Sequence, residues 1–243
     1  MEFQPVIPIW VGYDYREAAA YHTFQQSIID RSSRPVTFGA LHGPMLDNFD
    51  GQQDGTNKFI YSRFLVPALQ RYDGWAIFCD GDMVVEADIA ALWDLREDDK
   101  AAMVVKHDYE TKTFSKLKGT PIAAKNEHYP RKNWSSVIMW NCGHPKNKIL
   151  TKDFVAEAGG KFLHRFEWLD DEDIGEIPQE WNHLVGEYPH LPSNLYHYTL
   201  GAPGFFHYHR DGDEWHKAFL RSIHMIGEDP ESMVRRAKHY AII

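Results

Sequence analysis

Trp75-Ala76-Ile77-Phe78-Cys79-Asp80-Gly81-Asp82-Met83-Val84-Val85 is the stretch on which the fold is read, because there an apolar run ends abruptly in two carboxylates. Five consecutive apolar residues, set off upstream by Asp73-Gly74, predict a short strand buried on both faces, as in a parallel sheet covered by helices. Such strands deliver ligand groups at their carboxyl ends. Residues i and i+2 of an extended chain point to one side, so Asp80 and Asp82 are placed to offer two oxygen ligands to one hard cation, with Gly81 letting a ligand approach the backbone. The tripeptide alone is weak evidence, since Asp-x-Asp is expected about once by chance in a chain this long. It also occurs at Asp171/Asp173 and Asp211/Asp213, but only Asp80/Asp82 follows a buried strand. The pair at 211 and 213 reads as a solvated acidic turn.

A length of 243 residues with 43% hydrophobic content accommodates one large α/β domain or two small ones. The net charge of −9 argues against nucleic acid as the main partner, although a cation held by acids would still recruit a phosphate ligand. Two cysteines, Cys79 and Cys142, make neither a disulfide framework nor a zinc cluster, so a reduced, cytoplasmic setting is expected. There is no run of about 18 apolar residues and no basic-apolar leader, so neither a transmembrane segment nor a signal peptide is expected.

Val6–Val11 reads as a second buried strand that turns at Gly12-Tyr13-Asp14. A helix over Arg16–Ile29 follows, carrying Ala19, Ala20, Phe24, Ile28 and Ile29 at helical spacing, and Val36–Leu41 completes a β-α-β unit. Tyr13, Asp14 and Tyr15 lie where a nucleotide base would sit, or are half-buried surface groups. Phe59–Tyr72 reads as a helix despite Pro67. Its Arg63 is either a cationic fork for phosphate or sugar hydroxyls, or one half of a surface ion pair. Asp88–Leu95 is a helix with an acid cap, Ala101–Val105 a strand, Tyr109–Lys132 a basic loop over the site, Trp134–Trp140 a strand and Thr151–Ala158 a helix. Residues 196–215, rich in aromatics, histidines and glycines without periodicity, read as binding surface, and helices over 215–226 and 231–240 close the chain. His197, His207 and His209 are metal-ligand candidates, the last two with Asp211 as an alternative site.

Taken together, these parts resemble the family 8 glycosyltransferases, which include glycogenin and the bacterial lipopolysaccharide galactosyltransferases. The resemblance runs over residues 6–205. It implies the GT-A fold, a central mostly parallel sheet flanked by helices, and a Mn²⁺ (or Mg²⁺) ion held by Asp80, Asp82 and His197 across the diphosphate of a UDP-sugar. Tyr61-Ser62-Arg63-Phe64 is similar to the family's donor-binding helix, and Val11, Gly12, Tyr13 and Asp14 to its base-binding turn. Gly81 and Gly201 fall in the donor-binding segments. Asp171-Glu172-Asp173 ahead of Trp181-Asn182 is similar to the family's Asp-Gln-Asp loop, making Asp171 and Glu172, with Arg63, candidate catalytic residues. Glu172, a carboxylate where glutamine is frequent, is either a covalent nucleophile or a group that hydrogen-bonds the donor. Two departures stand out. No lysine follows His197 to hold the departing phosphate, leaving Arg210 or Lys217 as substitutes, and Ser135-Ser136-Val137 replaces Asn-x-Gly-Val.

The expected protein is a single α/β domain over residues 1–243, with a nucleotide-binding half to about 105 and an acceptor and metal-completing half from about 106. It is expected to be a retaining, metal-dependent transferase of a hexose from a UDP-sugar to a hydroxyl of a saccharide or glycoconjugate. Eight tryptophans and twelve tyrosines suit a saccharide groove as well as a core. The alternatives are a metal-dependent nucleotidyltransferase, which would ordinarily carry an N-terminal Gly-rich phosphate loop that is missing here, and a non-catalytic sugar-binding protein.

Overall fold

The structure is a computed structural model that describes residues 4–43, 46, 49, 59–116, 123–203 and 212–223. Eleven strands are described: β1 (Ile7–Gly12), β2 (Val36–Leu41), β3 (Trp75–Cys79), β4 (Met83–Val85), β5 (Ala102–Val104), β6 (Ser115–Lys116), β7 (Ala124–Lys125), β8 (Val137–Asn141), β9 (Ile174–Glu176), β10 (His183–Leu184) and β11 (Leu195–His197). The described α-helices are α1 (Ala18–Ile29), α2 (Val66–Leu69), α3 (Ile89–Trp93), α4 (Lys152–Glu157), α5 (Gly160–His164) and α6 (Gly212–Ser222).

Six strands form the central sheet in the order β2-β1-β3-β8-β5-β9. All run the same way except β8, which is antiparallel to both neighbours. The apolar run of β3 sits at the middle of this sheet and is buried on both faces. Ile77 and Cys79 pack into one core with Phe24 and Ile28 of α1, and Ala76 and Phe78 into another with Phe64 and Trp140. Burial from both sides explains why the strand is uniformly apolar instead of alternating. A three-stranded sheet, β10-β11-β4, leans on the carboxyl end of β3, and β6 and β7 form a separate hairpin.

Several elements differ from the sequence reading. The helix expected over 59–72 is a 3-10 turn at Ser62–Leu65 followed by the short α2. Pro67 lacks an amide donor and stands in the first turn of α2, so it starts a helix and does not sit within one. The strand expected from Trp134 begins at Val137, after a 3-10 turn at Trp134–Ser136. The basic loop contains the β6–β7 hairpin. The first helix opens with a 3-10 turn at Tyr15–Glu17 capped by Asp14. The described part of 196–215 is largely core, with Tyr198 and Trp215 fully buried and Tyr196 nearly so. The helix expected from Trp215 starts at Gly212, and the one expected over 231–240 lies outside the described residues.

Candidate active site

The site is assembled where β3, β8 and β11 end or begin together. Asp80 leaves the carboxyl end of β3, and its amide donates to the Ser136 carbonyl at 2.9 Å, so the reversed strand β8 brings its entry turn to the acid. A Cβ at Gly81 would lie 2.5 Å from the carbonyl oxygen of Gly12. The close approach that requires glycine there is therefore made by the end of β1, not by a ligand. β4 turns back and pairs with β11, placing His197 opposite Met83, while the Tyr198 amide donates to the Asp82 carbonyl at 2.9 Å. His197 Nε2 then lies 3.3 Å from Asp82 Oδ1 and 3.8 Å from Asp80 Oδ2. One ligand atom from each of the three residues falls within 4.8 Å of the others.

A relay of hydrogen bonds orients the imidazole. The Ser136 hydroxyl donates to the Asn133 carbonyl at 2.7 Å, so its oxygen accepts from the Asn182 amide nitrogen at 2.8 Å. The Asn182 carbonyl oxygen is thereby turned to accept from His197 Nδ1 at 3.0 Å. With Nδ1 held by Asn182, the ring points Nε2 at the two carboxylates, the arrangement of a metal-ligating histidine with its outer partner. Two oxygen donors and one nitrogen donor fit a divalent cation.

Charged neighbours complete the site. Arg63 is buried between the rings of Phe59 and Phe78 at 5.4 and 5.0 Å; its Nη1 lies 3.0 Å from Asp80 Oδ1 and donates to the Ser135 carbonyl at 2.7 Å. It is not the surface ion pair that sequence left open. Burial drives the Asp80 carboxyl above its ordinary value, only partly offset by Arg63. Burial acts on Asp82 in the same direction, but His197 and Lys116 outweigh it and leave that carboxyl below its ordinary value. Lys116, from the hairpin, donates to the Thr199 hydroxyl at 2.8 Å, and burial lowers its ammonium against the pull of Asp82 and Asp80. The Glu17 carboxyl is pushed up to about 8, first by burial and then by Asp82 and Asp14. Beside Asp80 opens a cavity of about 320 Å³ walled by Arg63, Lys116, Ser135, His164 and Arg165, among others.

The base-binding turn is in place beyond β1. Val11 and Gly12 are buried, and Tyr13 stands edge-on to Tyr21 at 5.1 Å. Asp14 is buried and holds Arg16 Nε at 2.8 Å, so its carboxylate is engaged locally. Gly201, at φ 131°, follows the turn closed by its amide on the Tyr198 carbonyl at 2.8 Å. Asp171 and Glu172 are not brought to the metal acids. They form an exposed turn that enters the amino end of β9. Ala76, Trp140, Ala102 and Ile174 are level across the sheet, and β3, β5 and β9 run the same way, so this turn and Asp80 lie at opposite ends of the sheet. Asp171 pairs with Arg131, and neither acid borders the cavity. Lys217 pairs with Glu214 at 2.6 Å on α6, and among the described residues Lys116 is the lysine that stands beside the acids. His207, His209, Arg210 and Asp211 lie outside the described residues. Sequence reasoning passed over Asn182, Glu17, Lys116 and His164. The Trp181-Asn182 pair and the basic loop carried the signal for two of them, whereas a lone histidine such as His164 carried none.

Residues 9–143 match the sequence model of glycosyl transferase family 8. Protein CDI of Arabidopsis thaliana is 45% identical over 209 residues, spanning 81% of this chain and 79% of that protein. Among solved structures, the WbbM bifunctional glycosyltransferase in its apo form aligns with a TM-score of 0.59 at 15% identity, over 96% of this chain and 52% of its own. The apo form of the glycosyltransferase GlyE of Streptococcus pneumoniae TIGR4 aligns at 0.59 and 13% identity, over 98% and 64%. The galactosyltransferase LgtC, in complex with donor and acceptor sugar analogs, aligns at 0.52 and 13% identity, over 95% of this chain and 100% of that one. The chain thus spans between half and two thirds of the first two solved chains, and at these identities the likeness carries the GT-A fold alone. Among the described residues no helix is long and apolar enough to cross a membrane. The family match over more than half the chain, with the plant relative over four fifths of it, places this protein in glycosyl transferase family 8 as a glycosyltransferase.

Proposed function

We propose that the protein is a metal-dependent, retaining glycosyltransferase that moves a hexose from a UDP-sugar to a hydroxyl of a saccharide or glycoconjugate. The observation that carries this reading is the convergence of Asp80, Asp82 and Nε2 of His197 beside a polar cavity. These three residues would hold the ion, and Mn²⁺ suits the mixed oxygen and nitrogen set better than Mg²⁺, which favours oxygen alone. A bound divalent cation supplies Lewis-acid stabilisation of charge on the departing diphosphate. Lys116 adds a cation on the same side, filling the role left open by the missing lysine after His197. Val11 to Asp14 hold the uridine, Gly81 and Gly201 shape the backbone around the diphosphate, and Arg63 fixes Asp80 while walling the sugar cavity.

Asp171 and Glu172 have no catalytic part in this reading. Asp80, tied to Arg63, and the exposed Glu127 are the carboxylates on the cavity wall among the described residues. This favours attack by the acceptor on the face from which UDP leaves over a covalent glycosyl-enzyme. The reading as one domain is supported by β8, which comes from the second half and lies between β3 and β5 of the first. The test is a thermal-shift panel of nucleotide sugars with and without Mn²⁺, followed by proton NMR of the product. A ligand at 100 times its dissociation constant raises stability by about 2.7 kcal/mol. Stabilisation by UDP-sugar that needs no metal would refute the metal reading, and an inverted anomeric centre would refute retention.

A further inference from the structure

Resting on the reading above, we infer that Ser135 and His164 form the site that reads a hydroxyl of the transferred sugar, Ser135 making the contact and His164 positioning it. The two residues come from different elements, the turn that enters β8 and the last residue of α5, and meet with Ser135 Oγ 2.7 Å from His164 Nδ1. They are also tied to the acid that begins the site. Asp80 Oδ1 lies 3.0 Å from Arg63 Nη1, and Arg63 Nη1 donates to the Ser135 carbonyl at 2.7 Å. All four residues wall the same cavity, so the position of the Ser135 hydroxyl is fixed relative to Asp80 through two short contacts.

The polarity of that hydroxyl follows from the histidine. Burial, reinforced by the charge of Arg63, pushes the His164 imidazole down to about 3, so it is neutral at any working pH and carries a single N–H. Its Nε2 is shut off from solvent and has no hydrogen-bond partner among the described residues. A proton there would be a buried donor without an acceptor, close to a cation. On Nδ1 it is donated to Ser135 Oγ, and the lone pair left on Nε2 suits the positive charge of Arg63. The Ser135 O–H is then left to donate into the cavity, to a hydroxyl oxygen of the sugar. The His164 ring keeps its place by standing edge-on to Phe64, with centroids 5.2 Å apart. Together the pair supplies the hydrogen bond to a donor hydroxyl that the sequence offered as one reading of Glu172.

The experiment is calorimetric titration of UDP, UDP-glucose and UDP-galactose, each with saturating Mn²⁺, into the wild type, Ser135→Ala, His164→Phe and His164→Asn. Thermal melting checks that each variant is folded. His164→Phe keeps a ring against Phe64 without the nitrogen, and His164→Asn brings an amide to the position of Nδ1. Losing one hydrogen bond with its geometry is expected to weaken the preferred UDP-sugar about tenfold in Ser135→Ala and His164→Phe, with UDP alone unchanged. His164→Asn should recover most of that loss, and the Ser135→Ala/His164→Phe double variant should be no worse than either single. Equal binding of the UDP-sugars by every variant would overturn the proposal, as would a parallel loss for UDP alone, which marks a structural role. A wild type that binds neither UDP nor either UDP-sugar would overturn the underlying donor reading and this one with it.

Discussion

Replacing Asn182 with leucine is the sharpest test of the site, because Asn182 touches no ligand in the proposed reaction and acts only through His197. It is fully buried and makes two hydrogen bonds, accepting from His197 Nδ1 at 3.0 Å and donating to Ser136 Oγ at 2.8 Å. Leucine fills a similar volume and removes both. Ser136 keeps its bond to the Asn133 carbonyl, so the loss falls mainly on the His197 N–H, which is left buried without an acceptor. That costs about 1–3 kcal/mol of folding stability. It also frees the imidazole to turn, which takes Nε2 away from Asp80 and Asp82. Loss of such an outer partner typically weakens metal binding about 10–100-fold, or about 1.4–2.7 kcal/mol. Asn182→Asp retains an acceptor for Nδ1 and should bind metal within a few-fold of wild type. Titration of Mn²⁺ followed by the resonance signal of the free ion measures this directly. If Asn182→Leu binds Mn²⁺ as tightly as wild type while His197→Ala does not, the relay does not orient the ligand and the reasoning fails.

Glu172→Gln and Asp171→Asn should each leave turnover within about twofold of wild type, because both lie at the far end of the sheet; a loss of several orders of magnitude in steady-state rate would return them to the reaction. Glu17, raised to about 8, binds a proton in the folded state that the unfolded chain releases near 4.5, so stability is lost as pH rises between those values. Glu17→Gln should therefore melt higher than wild type at pH 8 without metal, with the gap closing toward pH 5; melting curves that stay parallel over this range would remove Glu17 from the acidic cluster. Gly81→Ala forces a Cβ to 2.5 Å from the backbone oxygen of Gly12 and should cost about 1–3 kcal/mol in denaturant unfolding, and a change under about 0.5 kcal/mol would show that β1 and β3 part easily.

Much of the nucleotide half was legible because its strands are short apolar runs with turns at both ends. β2 and β3 have the bounds that the pattern predicts, and the acids follow where a parallel strand delivers them. The direction of β8 was not legible. An apolar strand buried on both faces reads the same whichever way it runs, and only its pairing with β3 and β5 decides. Asp171 and Glu172 were misplaced for a related reason. The residues between Asp173 and Trp181 include β9, which crosses the sheet, so an acid-rich turn close to Trp181-Asn182 in sequence is carried a strand's length away in space. Asn182 and His164 act through partners 15 and 29 residues distant in the chain, and no local spacing marks such pairs.

The insertion of β8 between β3 and β5 also bears on how the chain is made. β3 pairs with β1 on one side, but its other edge waits for a strand that ends at Asn141, 62 residues after Cys79. At about 5–20 residues per second, a ribosome leaves that apolar edge uncovered for roughly 3–12 s. β5 is synthesised within this interval and has no neighbour either, since both of its partners, β8 and β9, come later. A nascent chain stopped near residue 105 would hold two buried-type strands with open edges, a substrate for chaperones and not a foldable half.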